Sequence, residues 1–263
     1  KKNDITHIYT EEEIEKILVR FNKNKTFIYS FLTACYTGMR TGEVFALTWE
    51  DVDFKNRTIR INKTVYCKIK DNEGRWFLGT TKTVGSSRII YMCDTLYEIL
   101  SKFKKYQDIN RRFYKSKYKY YYLEQVKNKY WKLIEYKIIK GKNKKKNVEM
   151  IFVKKDGTYI GTDIIKYPYR IIHKELKINC RFYDLRGSFA TKVLRSGIEI
   201  KDISMVLGHS KIETTENYYI TSTKDTLKKV CESFEKENNY KILDKFLQVK
   251  DMKEFINADK YLI

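Results

Sequence analysis

Apolar positions fall in two rhythms along this chain, one helical and one strand-like. Thr10-Glu11-Glu12-Glu13 forms a capping box ahead of Ile14, Ile17 and Leu18, so a helix is expected to open at Thr10. Phe27, Phe31, Leu32 and Cys35 predict a second helix over about residues 25–37, ended by Thr37-Gly38. A third begins near Thr41 and carries Val44, Phe45 and Leu47. Alternation then takes over. Thr58–Ile61, Thr64–Ile69, Trp76–Thr81 and Arg88–Met92 read as an antiparallel sheet, with turns at Asn72-Glu73-Gly74 and Val84-Gly85-Ser86.

Residues 101–147 stand apart. They hold seventeen Lys or Arg, three acids and eight Tyr, among them Tyr118, Tyr120, Tyr121 and Tyr122, and they read as helical pieces ending in a loop at Lys140–Asn147. Beyond them, Glu149–Val153 predicts a strand and Lys155-Asp156-Gly157 a turn. The remainder is mainly helical. Gly197 and Gly208 sit where helix C-caps belong, and a helix beginning at Arg186 would turn Phe189, Ala190, Val193 and Leu194 to the core. There is one proline, Pro168, and neither an internal repeat nor a clear linker.

Composition narrows the class. With 263 residues, 42% hydrophobic and 33% charged, the chain can build one large domain or two small ones. No apolar run approaches the roughly 18 residues of a membrane span. Lys1-Lys2-Asn3-Asp4 has no apolar stretch behind it, which does not fit a signal peptide, so a cytoplasmic protein is expected. The five cysteines (35, 67, 93, 180, 231) show no CxxC spacing, and His7, His173 and His209 are too scattered to complete a zinc set. Neither a metal nor a cofactor is expected. The formal charge of +21 suits a polyanionic partner, although AT-rich coding also raises Lys, Asn, Ile and Tyr together.

Three segments carry candidate chemistry. Breaking a phosphodiester without a metal needs a strong nucleophile, guanidinium groups on the non-bridging oxygens, a proton for the leaving 5′-oxygen, and a covalent intermediate that keeps the bond energy. Thr37–Leu47 places Arg40 at a glycine-marked helix junction, with Glu43 one turn on. Arg181–Thr191 places Arg186 at a helix start, where its charge opposes the helix dipole and needs a local reason such as a bound anion. Val206–Tyr219 places His209 after a glycine cap, with Tyr218 and Tyr219 late in the next short helix. Taken singly, each reads as well as a surface arginine or a structural histidine.

Together and in this order, they resemble the tyrosine recombinases, the family of phage and conjugative-transposon integrases. The resemblance runs from about residue 8 to 235 and is strongest over 182–219, in Leu207-Gly208-His209-Ser210, Thr214-Thr215 and the tyrosines. It implies a mainly α catalytic domain with a small antiparallel sheet of three strands. It implies that Arg40 and Arg186 are the two catalytic arginines, that Glu43 buttresses the first, and that Lys82, in Thr81-Lys82-Thr83 before Arg88, is the general acid. His209 matches the second histidine of the set. Family spacing allows Tyr218 or Tyr219 as the nucleophile, and Asn217 favours Tyr219. On a helix the two point about 100° apart, so only one can face a phosphate.

One position departs from the family. Tyr183 stands where a histidine usually precedes the second arginine. A phenol can donate a hydrogen bond to phosphate, but with a pKa near 10 it is a poor proton shuttle. The resemblance also implies a double-stranded DNA partner, a tetramer on paired sites that can be a monomer without DNA, and a nucleoid-associated place in a bacterial cytoplasm. Expected boundaries are a catalytic domain over 1–235 and a helical tail over 236–263, with the family's N-terminal core-binding domain absent. In the tail region Leu227, Val230, Phe234, Ile242, Leu243, Phe246 and Leu247 would pack in cis or onto a neighbouring subunit. Lys142, Lys144, Lys145 and Lys146 are candidate DNA contacts, or else a solvated lysine run. The alternative reading is a non-catalytic or decayed recombinase-like DNA-binding protein. A two-metal nuclease fits less well, since the chain has no obvious carboxylate cluster.

Overall fold

The computed structural model describes residues 7–68, 76–80, 87–126, 134–143, 147–208 and 224–237. Eight α-helices are described: α1 (Glu11–Arg20), α2 (Lys25–Thr37), α3 (Thr41–Val44), α4 (Asp94–Tyr114), α5 (Lys166–Ile171), α6 (Asp184–Arg195), α7 (Ile200–Leu207) and α8 (Lys224–Glu237). At the start of α1, the Thr10 hydroxyl accepts from the Glu13 N–H at 3.2 Å, and the Glu13 carboxylate accepts from the Thr10 N–H at 2.9 Å. The expected capping box is formed.

Helix α2 is the axle of the molecule. Twelve of its thirteen residues are buried, so it has no polar face to give to water. It packs against α3, α4, α6 and α8. Tyr29 stacks on Phe103 of α4 at 4.7 Å, and Tyr36 meets Phe234 of α8 edge-on at 5.1 Å. Gly38 ends the helix at φ +61°, and a Cβ there would lie 2.6 Å from Leu207 and 2.7 Å from Phe189. Only glycine allows both that backbone turn and that closeness. The end of α2 is thereby pressed against α6 and the last turn of α7.

The strands are β1 (Val52–Asp53), β2 (Thr58–Ile61), β3 (Lys63–Cys67), β4 (Trp76–Thr80), β5 (Arg88–Tyr91), β6 (Tyr121–Val126), β7 (Glu135–Lys140) and β8 (Asn147–Val148). They form not one sheet but two, each antiparallel. One runs β1-β2-β5 and the other β3-β4-β7-β6-β8. The break falls at Asn62, between β2 and β3, where the strand bends from one sheet into the other.

The insert corrects the sequence reading most. Residues 101–114 complete α4, but 121–148 contribute three strands instead of helical pieces and a loop. Strand β7 pairs with β4, placing Leu78 opposite Tyr136, and β6 pairs with β7 along six positions. The open edge of β4 supplies the partner, and Ile138 and Tyr121 turn inward from the hairpin. Residues 149–153 are not a strand either. They form a single bridge, Thr48 to Met150, and Met150–Val153 are buried. The Gln107 side-chain amide donates to Met150 O and Ile151 O at 3.0 and 2.9 Å, supplying partners that a ladder would otherwise provide.

Smaller corrections follow. Phe189 and Val193 are buried as expected, but Leu194 is 46% exposed. Val230 and Phe234 pack in cis, Phe234 lying 4.8 Å from Phe189. Helix α8 runs to Glu237. The side chain of Leu227 and all of 238–263 lie outside the described residues, as do the turns expected at 72–74 and 84–86.

Candidate active site

Two helix C-termini meet at the end of α2. The last turn of α7 stops at Gly208, φ +67°, immediately before His209. Free carbonyls and a negative dipole end therefore gather from both α2 and α7. Three arginines fill that space.

Arg186, in the first turn of α6, donates to Gly38 O and Leu207 O, each at 2.8 Å, and is 3% exposed. This is the local reason its position demanded. The carbonyl ends of two other helices offset the unfavourable start of its own. Arg40, preceding α3, donates to Gly208 O at 3.0 Å and to Glu43 Oε1 at 2.9 Å. Its side chain is 35% exposed and so reaches the surface of the cluster, whereas that of Glu43 is 3% exposed. The Arg40 N–H also donates to Glu43 Oε2 at 3.0 Å, fixing the carboxylate.

The third arginine was not among the sequence-derived candidates. Arg88 opens β5. Its Nε donates to Val206 O at 2.6 Å, and its two terminal nitrogens donate to Glu43 Oε1 and Oε2 at 3.2 and 2.8 Å. No local pattern marks Arg88, since Glu43 and Val206 lie 45 and 118 residues away along the chain.

Electrostatics follow from this crowding. Burial lowers the Arg186 pKa to about 9, helped by the charges of Arg40 and Arg88, with Glu43 and Tyr183 acting in the opposite sense. Burial pushes the Glu43 carboxyl up, but hydrogen bonding and charge from Arg88, then Arg40, hold it below its usual range. Three cations against one carboxylate leave a net positive cluster that reaches the surface at Arg40, whose side chain is 35% exposed. Guanidiniums so placed suit an anion with oxygens to share.

Tyr183 is half-buried at the N-cap of α6. Of the other candidates, Lys82, His209, Tyr218, Tyr219, Lys144, Lys145 and Lys146 lie outside the described residues. Lys142 is exposed beside the insert hairpin, with its ammonium 4.3 Å over the Tyr120 ring. Among the described residues no three His, Cys, Asp or Glu side chains group as a metal site, and no helix is long and apolar enough to cross a membrane.

Residues 8–225 match the profile of the phage integrase family. The XerC-like tyrosine recombinase of Caldanaerobacter subterraneus is 27% identical over 217 residues, which is 80% of this chain and 49% of that protein. The transposase from transposon Tn916 of Enterococcus faecalis is 26% identical over 83% of this chain and 49% of its own length. The chain thus spans about half the length of these relatives. Among solved structures, the transposon Tn1549 integrase in complex with transposon right end DNA aligns with a TM-score of 0.56, at 18% identity, over 88% of this chain and 67% of that one. The fold is that of a tyrosine recombinase catalytic domain. The chain belongs to the phage integrase family.

Proposed function

We propose that this chain is the catalytic domain of a site-specific recombinase, which cuts and rejoins double-stranded DNA through a covalent 3′-phosphotyrosine to integrate or excise a mobile element. The observation that carries this reading is the convergence of Arg40, held by Glu43, and Arg186 on the carbonyls of Gly208 and Leu207, just before His209. The DNA in the Tn1549 integrase complex supports the choice of partner.

In this reading the Tyr219 oxygen attacks the scissile phosphorus while the P–O5′ bond breaks, and Lys82 protonates the departing 5′-oxygen. His209 is the candidate acceptor of the phenol proton. Arg40 and Arg186 share the non-bridging oxygens as charge builds on them. A 5′-hydroxyl from a partner strand then attacks the phosphotyrosine and releases Tyr219. Tyr183 donates a hydrogen bond to a phosphate oxygen. Pairing of two DNA sites would assemble a tetramer.

The test is a duplex nicked close to the cut site, so that the cleaved fragment diffuses away. Such a substrate should accumulate a protein–DNA adduct that survives denaturant and forms equally well in EDTA. Loss of the adduct on chelation would overturn the metal-free mechanism. The second reading, a decayed DNA-binding relative, is favoured by Tyr183 standing in the histidine position, and it expects binding without adduct.

The insert supplies a second, separable expectation. Its seventeen basic residues motivate DNA binding away from the cut. Each lysine–phosphate pairing contributes about 0.9 to the slope of log K against log salt, so replacing Lys142, Lys144, Lys145 and Lys146 with Gln should flatten it by about two to four units. Cleavage of saturated complexes should hardly change. An unaltered slope would mark the cluster as a solvated surface.

A further inference from the structure

Arg88 occupies the junction of three parts of the site. It starts β5 directly after the segment that contains Lys82. Its guanidinium grips both Glu43 oxygens, and Glu43 in turn holds Arg40 by side chain and backbone. Its Nε holds Val206 O, in the turn of α7 that leads to His209. At 7% exposure the side chain is committed to these partners and is not offered to a ligand. Gly208 adds a steric sign of the same closeness, because a Cβ there would stand 3.0 Å from an Arg88 terminal nitrogen.

We propose that Arg88 is a positioning residue for strand cleavage. It locks the start of β5, the Arg40–Glu43 pair and the last turn of α7 into one rigid unit before DNA arrives. The inference rests on the recombinase reading and extends it to a residue that touches no substrate atom. A lysine can replace it only in part, since only the planar fork meets both carboxylate oxygens while its Nε serves a carbonyl.

Arg88 also keeps Glu43 ionised. With Arg88 gone, Glu43 stays buried with less compensation and its carboxyl rises toward neutrality. Protonated Glu43 no longer holds Arg40 by charge, so the damage should grow as pH falls. A purely structural role would scale the rate equally at every pH.

The experiment is single-turnover adduct formation on the nicked duplex with Arg88→Met and Arg88→Lys, each checked for DNA affinity and thermal midpoint. Arg88→Met should bind DNA as the wild type does yet form adduct about 10- to 100-fold more slowly, the size of effect seen when a supporting partner is removed. The deficit should deepen as pH falls from neutral into the weakly acidic range. Arg88→Lys should recover part of the rate. If Arg88→Met fails to fold, Arg88→Lys is read alone, and its deficit should deepen less steeply as pH falls, since one cation stays beside Glu43 while the two-oxygen grip is lost. Wild-type rates, or a deficit equal at all pH values, would overturn the inference while leaving the recombinase reading intact. A wild-type protein that forms no adduct defeats the reading itself, and this inference with it.

Discussion

Replacing Arg186 or Arg40 with Ala should abolish strand cleavage while leaving DNA affinity nearly unchanged. In the proposed mechanism each guanidinium neutralises charge that appears on the phosphate oxygens only as the reaction proceeds, so its removal is expected to slow cleavage by about 10²–10³-fold or more. Affinity is spread over many cations in a chain of net charge +21, and one arginine contributes little to it. Arg186 carries a further consequence. Its pKa is lowered to about 9, so at alkaline pH the folded protein binds fewer protons than the unfolded chain and stability rises with pH. Below about 9 the buried cation is a standing destabilisation, fully present at neutral pH. Because affinity is nearly unchanged, site-containing duplex should raise the thermal midpoints of the wild type and of Arg186→Ala by similar amounts. Wild-type cleavage by either alanine variant, in the nicked-duplex assay, would remove that arginine from the mechanism.

Tyr219→Phe should lose the covalent adduct altogether, since no other atom of that side chain can form the bond to phosphorus. Duplex binding and the thermal midpoint should be retained, because only one hydroxyl is deleted. Tyr218→Phe should still form adduct. The reverse result, with adduct from Tyr219→Phe and none from Tyr218→Phe, would move the nucleophile by one residue. Peptide mapping of the denatured adduct reads the attachment point directly and checks both outcomes.

The candidate site was legible in unequal parts. Arg40, Glu43 and Arg186 were singled out because their short motifs, ambiguous singly, resemble the recombinase family when taken in order, and the structure brings the three together. Arg88 was passed over, as its significance lies in hydrogen bonds to residues 45 and 118 positions away. The dipole objection to Arg186 was sound, but its answer lay elsewhere. Helix α6 alone offers Arg186 nothing, and the carbonyls of Gly38 and Leu207 become its partners only when three helices converge.

The insert shows the opposite limit. Tyr121–Val126 and Glu135–Lys140 became strands because β4 presents an unpaired edge, and composition dominated by Lys and Tyr conceals that. Likewise 149–153 is apolar enough for a strand, yet Gln107 satisfies two of its carbonyls and it stays irregular. Local signals, by themselves, determined what short-range physics controls: the capped start of α1, the glycine ends of α2 and α7, the alternation of β2 to β5, and the arginine-bearing motifs. Tertiary structure alone decided how that alternation split into two sheets, which edge the insert joined, and that Arg88 would share Glu43 with Arg40. Those outcomes depend on hydrogen-bond partners and buried charges brought together across many residues, and neighbours in sequence carry no record of them.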